Sequence, residues 1–283
     1  MNHRTGADTV TGSRLECTLV AGRGGRTRIA SLLQEFPQRV TVPMYTDPGC
    51  ASTAFVCVQN PTAGAFPGDD LTTRFTVGGD ARLFLTQQAA TQVFAGGAAA
   101  TQTTVLDIAP GAVVEYVPKT VIPHADSEYR QRTEVSVSDS SVFLGWEAFA
   151  AGRIGHGERY AYQGISSRTD VLYSGRLRAR ESFRLAPGEA DPDDPGLLGG
   201  HDYVASMLVV APGRELTGLI AEFHAGIDAT PGVTGAASTL PDGIGVSVRL
   251  LADRAPDLHR VHDLLWSTAR RSVLDLGPLT SRM

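Results

Sequence analysis

Lysine is nearly missing from this chain: of 25 basic residues only Lys119 is a lysine. Schiff-base chemistry therefore has a single candidate, and nothing beside Lys119 in the sequence supports that role. Cysteine is sparse as well. Cys17, Cys50 and Cys57 are odd in number and lack Cys-x-x-Cys spacing, which argues against a disulfide framework and a structural zinc site and leaves three reduced thiols. No apolar run reaches the ~20 residues of a membrane span, and the opening residues MNHRTGADTVTG carry no apolar core of a secretory signal, so a cytoplasmic protein without a membrane partner is expected. A concentrated basic stripe is also absent. With a net charge of −5 and evenly scattered arginines, the chain has no surface suited to nucleic acid. Neither a GxxxxGK phosphate loop nor a GxSxG nucleophile motif occurs.

What is present is enough apolar material, 42% of 283 residues, for a large core in one or two modules. Three segments resemble one another: Thr76 to Gln88, Asp107 to Thr120 and Val135 to Phe149. Each runs from a short strand through a Gly, Asp or Ser turn into an alternating strand, with the turns roughly 30 residues apart. Ala81, Ala112 and Ser141 hold equivalent places. The period predicts a mainly β protein with a β-helix or solenoid-like body of stacked strands over residues 13–195, preceded by a flexible tail over residues 1–12. Ordinary hairpins of a β-sandwich are the alternative.

The character changes after Arg184. The segment Glu189 to Asp202, EADPDDPGLLGGHD, reads as an exposed loop or module boundary. A small α+β part carrying two helices is predicted over residues 196–283. Tyr203 to Val210 reads as a strand, and Leu216, Leu219, Ile220 and Phe223 trace one helix face, with Gly226 helping to end the helix. A hairpin around Pro241, Asp242 and Gly243 leads to GVSVRLLAD, and a last helix begins near Asp253 or Asp257 with Pro256. Leu258, Val261, Leu265, Thr268 and Ser272 form its stripe, flanked by Leu264, Trp266, Ala269 and Val273. His259 and His262 stand at i and i+3 on it, a spacing open to a metal, although a solvated edge without a third ligand is the plainer reading.

Glu147 sits beside Trp146 in the apolar run SVFLGWEAFA. Such a carboxylate either points outward from a strand or needs a partner, a wet space or a ligand. Glu115 falls at a similar offset in the preceding repeat. Asp69, in the Pro- and Gly-rich loop NPTAGAFPGDDL, either caps a turn or lines a path for a cation. Glu147, Glu158 and His156 also permit an acid/base set of the kind used on polysaccharides, but the missing export signal speaks against it.

Seven fragments in fixed order carry a family resemblance: GRGGRTRIA, NPTAGAFPGDDL, LTQQAATQVF, VEYVPKTVI, FLGWEAFAAGR followed by GER, LRARESFRL and HDLLWSTAR. With them the chain resembles the UreD (UreH) family of urease accessory proteins from about Arg14 to the C-terminus. Thr62, Ala63 and Pro67 depart from the family's usual PPGGxxGGD loop, and Gln92 replaces a common lysine. Asp69, Glu115, Glu147, Arg153 and Glu158 match. The resemblance implies a chaperone rather than an enzyme, one that assists nickel insertion into apo-urease in complex with UreF and, through UreF, the GTPase UreG. No cofactor is expected to be permanently bound; nickel(II) is a transient cargo, and Asp69, Glu147 and Glu115 are the expected lining of its internal route.

Overall fold

A computed structural model describes residues 12–279. The expected tail, apart from Gly12, lies outside the described residues. The chain opens with the hairpin β1 (Gly12–Ala21) and β2 (Thr27–Gln34), followed by the short β3 (Arg39–Val40). Four passes follow, and each crosses from one sheet to another through a corner. The first is β4 (Ala54–Gln59), β5 (Gly64–Ala65) and β6 (Asp70–Val77); the second is β7 (Arg82–Gln87), β8 (Thr91–Val93) and β9 (Ala100–Ile108). The third is β10 (Val113–Val117), β11 (Val121–Pro123) and β12 (Glu128–Val137). The fourth is β13 (Val142–Ala150), a small hairpin of β14 (Gly152–Arg153) and β15 (Glu158–Arg159), and β16 (Gly164–Tyr173).

Like strands stack on like. In the first sheet β1, β6, β9, β12 and β16 run parallel, with β2 antiparallel on one edge and β17 (Arg176–Leu185) on the other. In the second, β4, β7, β10 and β13 are parallel, and β5, β8 and β11 form a short ladder at the corner. Ala81, Ala112 and Ser141 immediately precede β7, β10 and β13, are all buried, and are linked by Val113 N–H to Ala81 O and Val142 N–H to Ala112 O, both 2.9 Å. The equivalence read from the repeats is thus a true register, and the mainly β expectation with two helices near the C-terminus holds.

Strand β18 (Tyr203–Val210) pairs antiparallel with β13 and is followed by α1 (Thr217–Asp228), β19 (Val233–Thr239), β20 (Gly245–Ala252) and α2 (Ala255–Ala269). Strands β18 to β20 therefore extend the second sheet, and α1 and α2 pack against its outer face. The predicted α1 face is observed, with Leu219, Phe223 and Ile227 buried. Gly226 does not end α1. It lets α2 approach, since a Cβ there would lie 3.0 Å from Leu264 Cδ2. In α2, Leu258, Val261, Leu265, Trp266, Thr268 and Ala269 are buried, whereas Leu264 is exposed, as is Ser272 beyond the helix end. A further turn of π-helix, Arg270–Leu274, follows.

Candidate functional site

The strand period decides what each candidate carboxylate meets. Glu115 on β10 pairs with Leu144 on β13, and Glu147 lies three residues beyond Leu144. An odd step reverses the face, so Glu115 and Glu147 point to opposite sides of the second sheet. The similar offset inferred from the repeats was three residues out of register.

Glu115 faces the helices. Its carboxylate accepts two bonds from Arg270 Nη1, at 2.6 and 2.8 Å, and one from Trp266 Nε1 at 2.9 Å. Arg270 also donates to Asp47 Oδ2 at 2.6 Å and to Gly277 O at 2.9 Å. All three charged side chains are buried. Burial works against the Arg270 charge, but Glu115 and Asp47 outweigh it and hold its pKa above the ordinary value, while burial pushes Glu115 up against the pull of Arg270 and Trp266. The two-point contact is that of a charged pair, and its work is to fasten the end of α2 to the body. Asp69 is the turn cap of the two sequence readings: its Oδ2 accepts the Phe66 N–H at 2.8 Å, and its own N–H returns to Phe66 O at 3.0 Å.

Glu147 faces inward, between the sheets. Its Oε2 accepts from Gln131 Nε2 on β12 at 3.0 Å and from Ser167 Oγ on β16 at 2.8 Å; its Oε1 accepts from Ser206 Oγ on β18 at 3.1 Å. Half-buried, it lines two small cavities of about 20 and 50 Å³. Burial raises its pKa, reinforced by the charge of Glu181 and opposed by the bonds from Ser167, Ser206 and Gln131.

Glu147 belongs to a strip of polar side chains that crosses the apolar interior. Tyr129 Oη donates to Gln102 Oε1 at 2.8 Å and makes a longer contact, 3.4 Å, with Gln131 Oε1, which leads on to Glu147. On one side, Gln102 and Gln38 line a cavity of about 250 Å³, and Gln38 Nε2 donates to Thr73 Oγ1 at 2.6 Å. On the other, Glu181 shares the 50 Å³ cavity with Glu147 and accepts from Ser247 Oγ at 2.7 Å and Arg249 Nε at 2.9 Å.

The structure does not bring Asp69, Glu115 and Glu147 together. Among the described residues no group of three or more His, Cys, Asp or Glu side chains forms a metal site. His262 packs edge-on to Trp146 and stacks on Trp266, while His259 is exposed. Glu158 is bound by Arg153 and by the Ala125 N–H, which hold its pKa down to about 2, too low for a general acid at neutral pH. The three thiols are free, and burial pushes Cys17 up to about 12. Among the described residues no helix is long and apolar enough to cross a membrane.

Several participants escaped the sequence reading. Gln102, Tyr129, Gln131, Ser167 and Ser206 are ordinary strand residues until the sheets are superposed. Arg270 left a signal: it stands four residues after Trp266, a charge at the end of an apolar helix face.

Comparison with known proteins gives a concordant picture. The family model described as UreD urease accessory protein matches residues 13–283. A urease accessory protein UreD of Mycolicibacterium gilvum is 45% identical over 95% of this chain and 97% of its own length. The UreD 2 protein of Streptomyces griseus is 34% identical over 89% of this chain and 87% of its own, and the UreD of Natronomonas pharaonis 30% identical over 93% and 88%.

Proposed function

Because this chain belongs to the UreD family of urease accessory proteins, we propose that it serves urease maturation by assisting nickel insertion into apo-urease, as a non-catalytic member of a complex with UreF and the GTPase UreG. Nickel(II) is the cargo. Its delivery calls for weak, changing oxygen contacts rather than a closed cage of Cys and His, which would hold the ion.

The observation that carries this reading is Glu147 in the inter-sheet strip. A carboxylate flanked by Gln131, Ser167 and Ser206 offers a hydrated cation one charge and several neutral partners. Glu181 provides the next carboxylate along. Asp69 and Glu115 drop out of the route, because the turn and Arg270 already occupy them. That same engagement favours a second reading, a scaffold that only positions its partners.

Reconstitution tests the function. Apo-urease, UreF, UreG, GTP and nickel are combined with and without this chain, and urease activity is followed. Activation should depend on the chain, and the chain should co-purify with UreF; equal activation without it would refute the role. Equilibrium dialysis of the complex with nickel separates the readings, since a scaffold takes up no nickel that Glu147→Gln removes.

A further inference from the structure

The pairing register sets Glu147, Ser206 and Arg249 in one row across β13, β18 and β20, and the row ends at Ala236 on the edge strand β19. Residues directly opposite one another in a sheet share a face, so Arg249 stands on the inner face that carries Glu147, two strands or roughly 10 Å away. Glu181, on the edge strand β17 of the first sheet, reaches across to this row. Its Oε2 accepts from Arg249 Nε at 2.9 Å and Nη2 at 2.5 Å, and its Oε1 from Ser247 Oγ at 2.7 Å. The guanidinium thus closes the gap between the edge of one sheet and the inner face of the other, as a wall of the 50 Å³ cavity that Glu147 and Glu181 share.

The two partners of this pair differ in setting. The Glu181 side chain is 14% exposed, that of Arg249 63%. An ion pair whose cation stands in water contributes little to stability, so this one opens readily. Arginine keeps its charge across the physiological pH range, so opening calls for a competing anion rather than for loss of a proton. Closed, the pair places a fixed positive charge at the outer end of the cavity and occupies the carboxylate next to Glu147. Both effects work against a divalent cation there.

We propose that Arg249 is a latch on the cargo route: closed on Glu181 it seals the cavity, and a carboxylate presented at this edge draws the guanidinium away and frees Glu181 to share the cation with Glu147. The fork of N–H donors makes a carboxylate the fitting trigger, because the two groups match at two points. The latch rests on the reading that nickel passes Glu147, and deepens it.

The test follows uptake of nickel(II) by the full chain in equilibrium dialysis. Arg249→Gln removes the latch and should tighten nickel binding by about tenfold, the scale for lifting a nearby like charge from a half-solvated site. Arg249→Lys keeps the charge and should stay near the wild type. Ala236 is exposed and directly opposite Arg249, so Ala236→Asp offers the competing carboxylate while the latch stays in place, and it serves also where Arg249→Gln folds poorly. It should tighten binding as well. Adding Glu181→Gln to either variant should return binding to the wild-type level, which a mere staple between β17 and β20 would not do. Folded Arg249→Gln or Ala236→Asp protein with wild-type nickel binding would overturn the latch, as would tighter binding that survives Glu181→Gln. Where Glu147→Gln still lowers activation of apo-urease, that result strikes the latch alone; activation indifferent to Glu147→Gln removes the route and the latch together.

Discussion

Arg270 holds Glu115, Asp47 and Gly277 O through one guanidinium, so its removal strands two buried carboxylates. Arg270→Met should cost about 3–5 kcal/mol, the usual penalty for breaking a buried pair from one side, as measured by urea unfolding. Adding Glu115→Gln to that variant should restore part of the loss, because it removes a charge that has become unpaired. Glu147 behaves differently, since among the described residues no basic side chain pairs with it, and its folded pKa is raised by burial. Its protonated form is favoured in the folded state, so its contribution to stability is present below the ordinary carboxylate pKa of 4.5 and is lost as pH rises through the raised folded value. Relative to Glu147→Gln, the wild type should lose stability as pH climbs above that range, in melts taken across pH; a parallel profile for the two proteins would show that Glu147 is solvated like a surface group. Sequence alone identified Glu147 as a carboxylate needing an account. It could not supply Ser167 and Ser206, because they reach Glu147 only when strands 20 and 59 residues away are brought alongside.

At the level of elements, the corner ladder leaves no room for a side chain at Gly64. A Cβ on Gly64 would lie 2.0 Å from the Gln92 carbonyl oxygen of the next pass. Gly64→Ala must therefore push β5 from β8, with an expected cost of roughly 1–3 kcal/mol in unfolding experiments, the range for forced overpacking. The strand stacking was legible because the repeat places Ala81, Ala112 and Ser141 at the same buried step of successive passes. The face of Glu115 was not, because an offset wrong by one residue of parity exchanges the two sides of a strand. Helices were easier. Their apolar stripes gave the buried faces of α1 and α2, but Gly226 was read as a terminator when its task is the close approach of Leu264. A glycine that ends a helix and one that admits a neighbour look alike until the neighbour is in place.

Across the whole molecule, the polar strip runs transverse to the strands, from the cavity beside Gln38, through Gln102, Tyr129 and Gln131, to Glu147 and Glu181. The apolar clusters around Leu106 and around Phe149 supply the rest of the inter-sheet core. Burying so many polar groups is unfavourable unless each is satisfied, and a packed apolar interior would serve stability as well or better. That expense in stability is the ground on which we propose a cargo role for Glu147. The direct measurement is nickel-dependent activation of apo-urease in the reconstituted complex, wild type against Glu147→Gln, with complex assembly and melting temperature matched. An isosteric loss of one charge should lower activation by about tenfold, the lower end of the range for disturbing groups around a metal. Activation at the wild-type rate would contradict the claim that nickel passes Glu147.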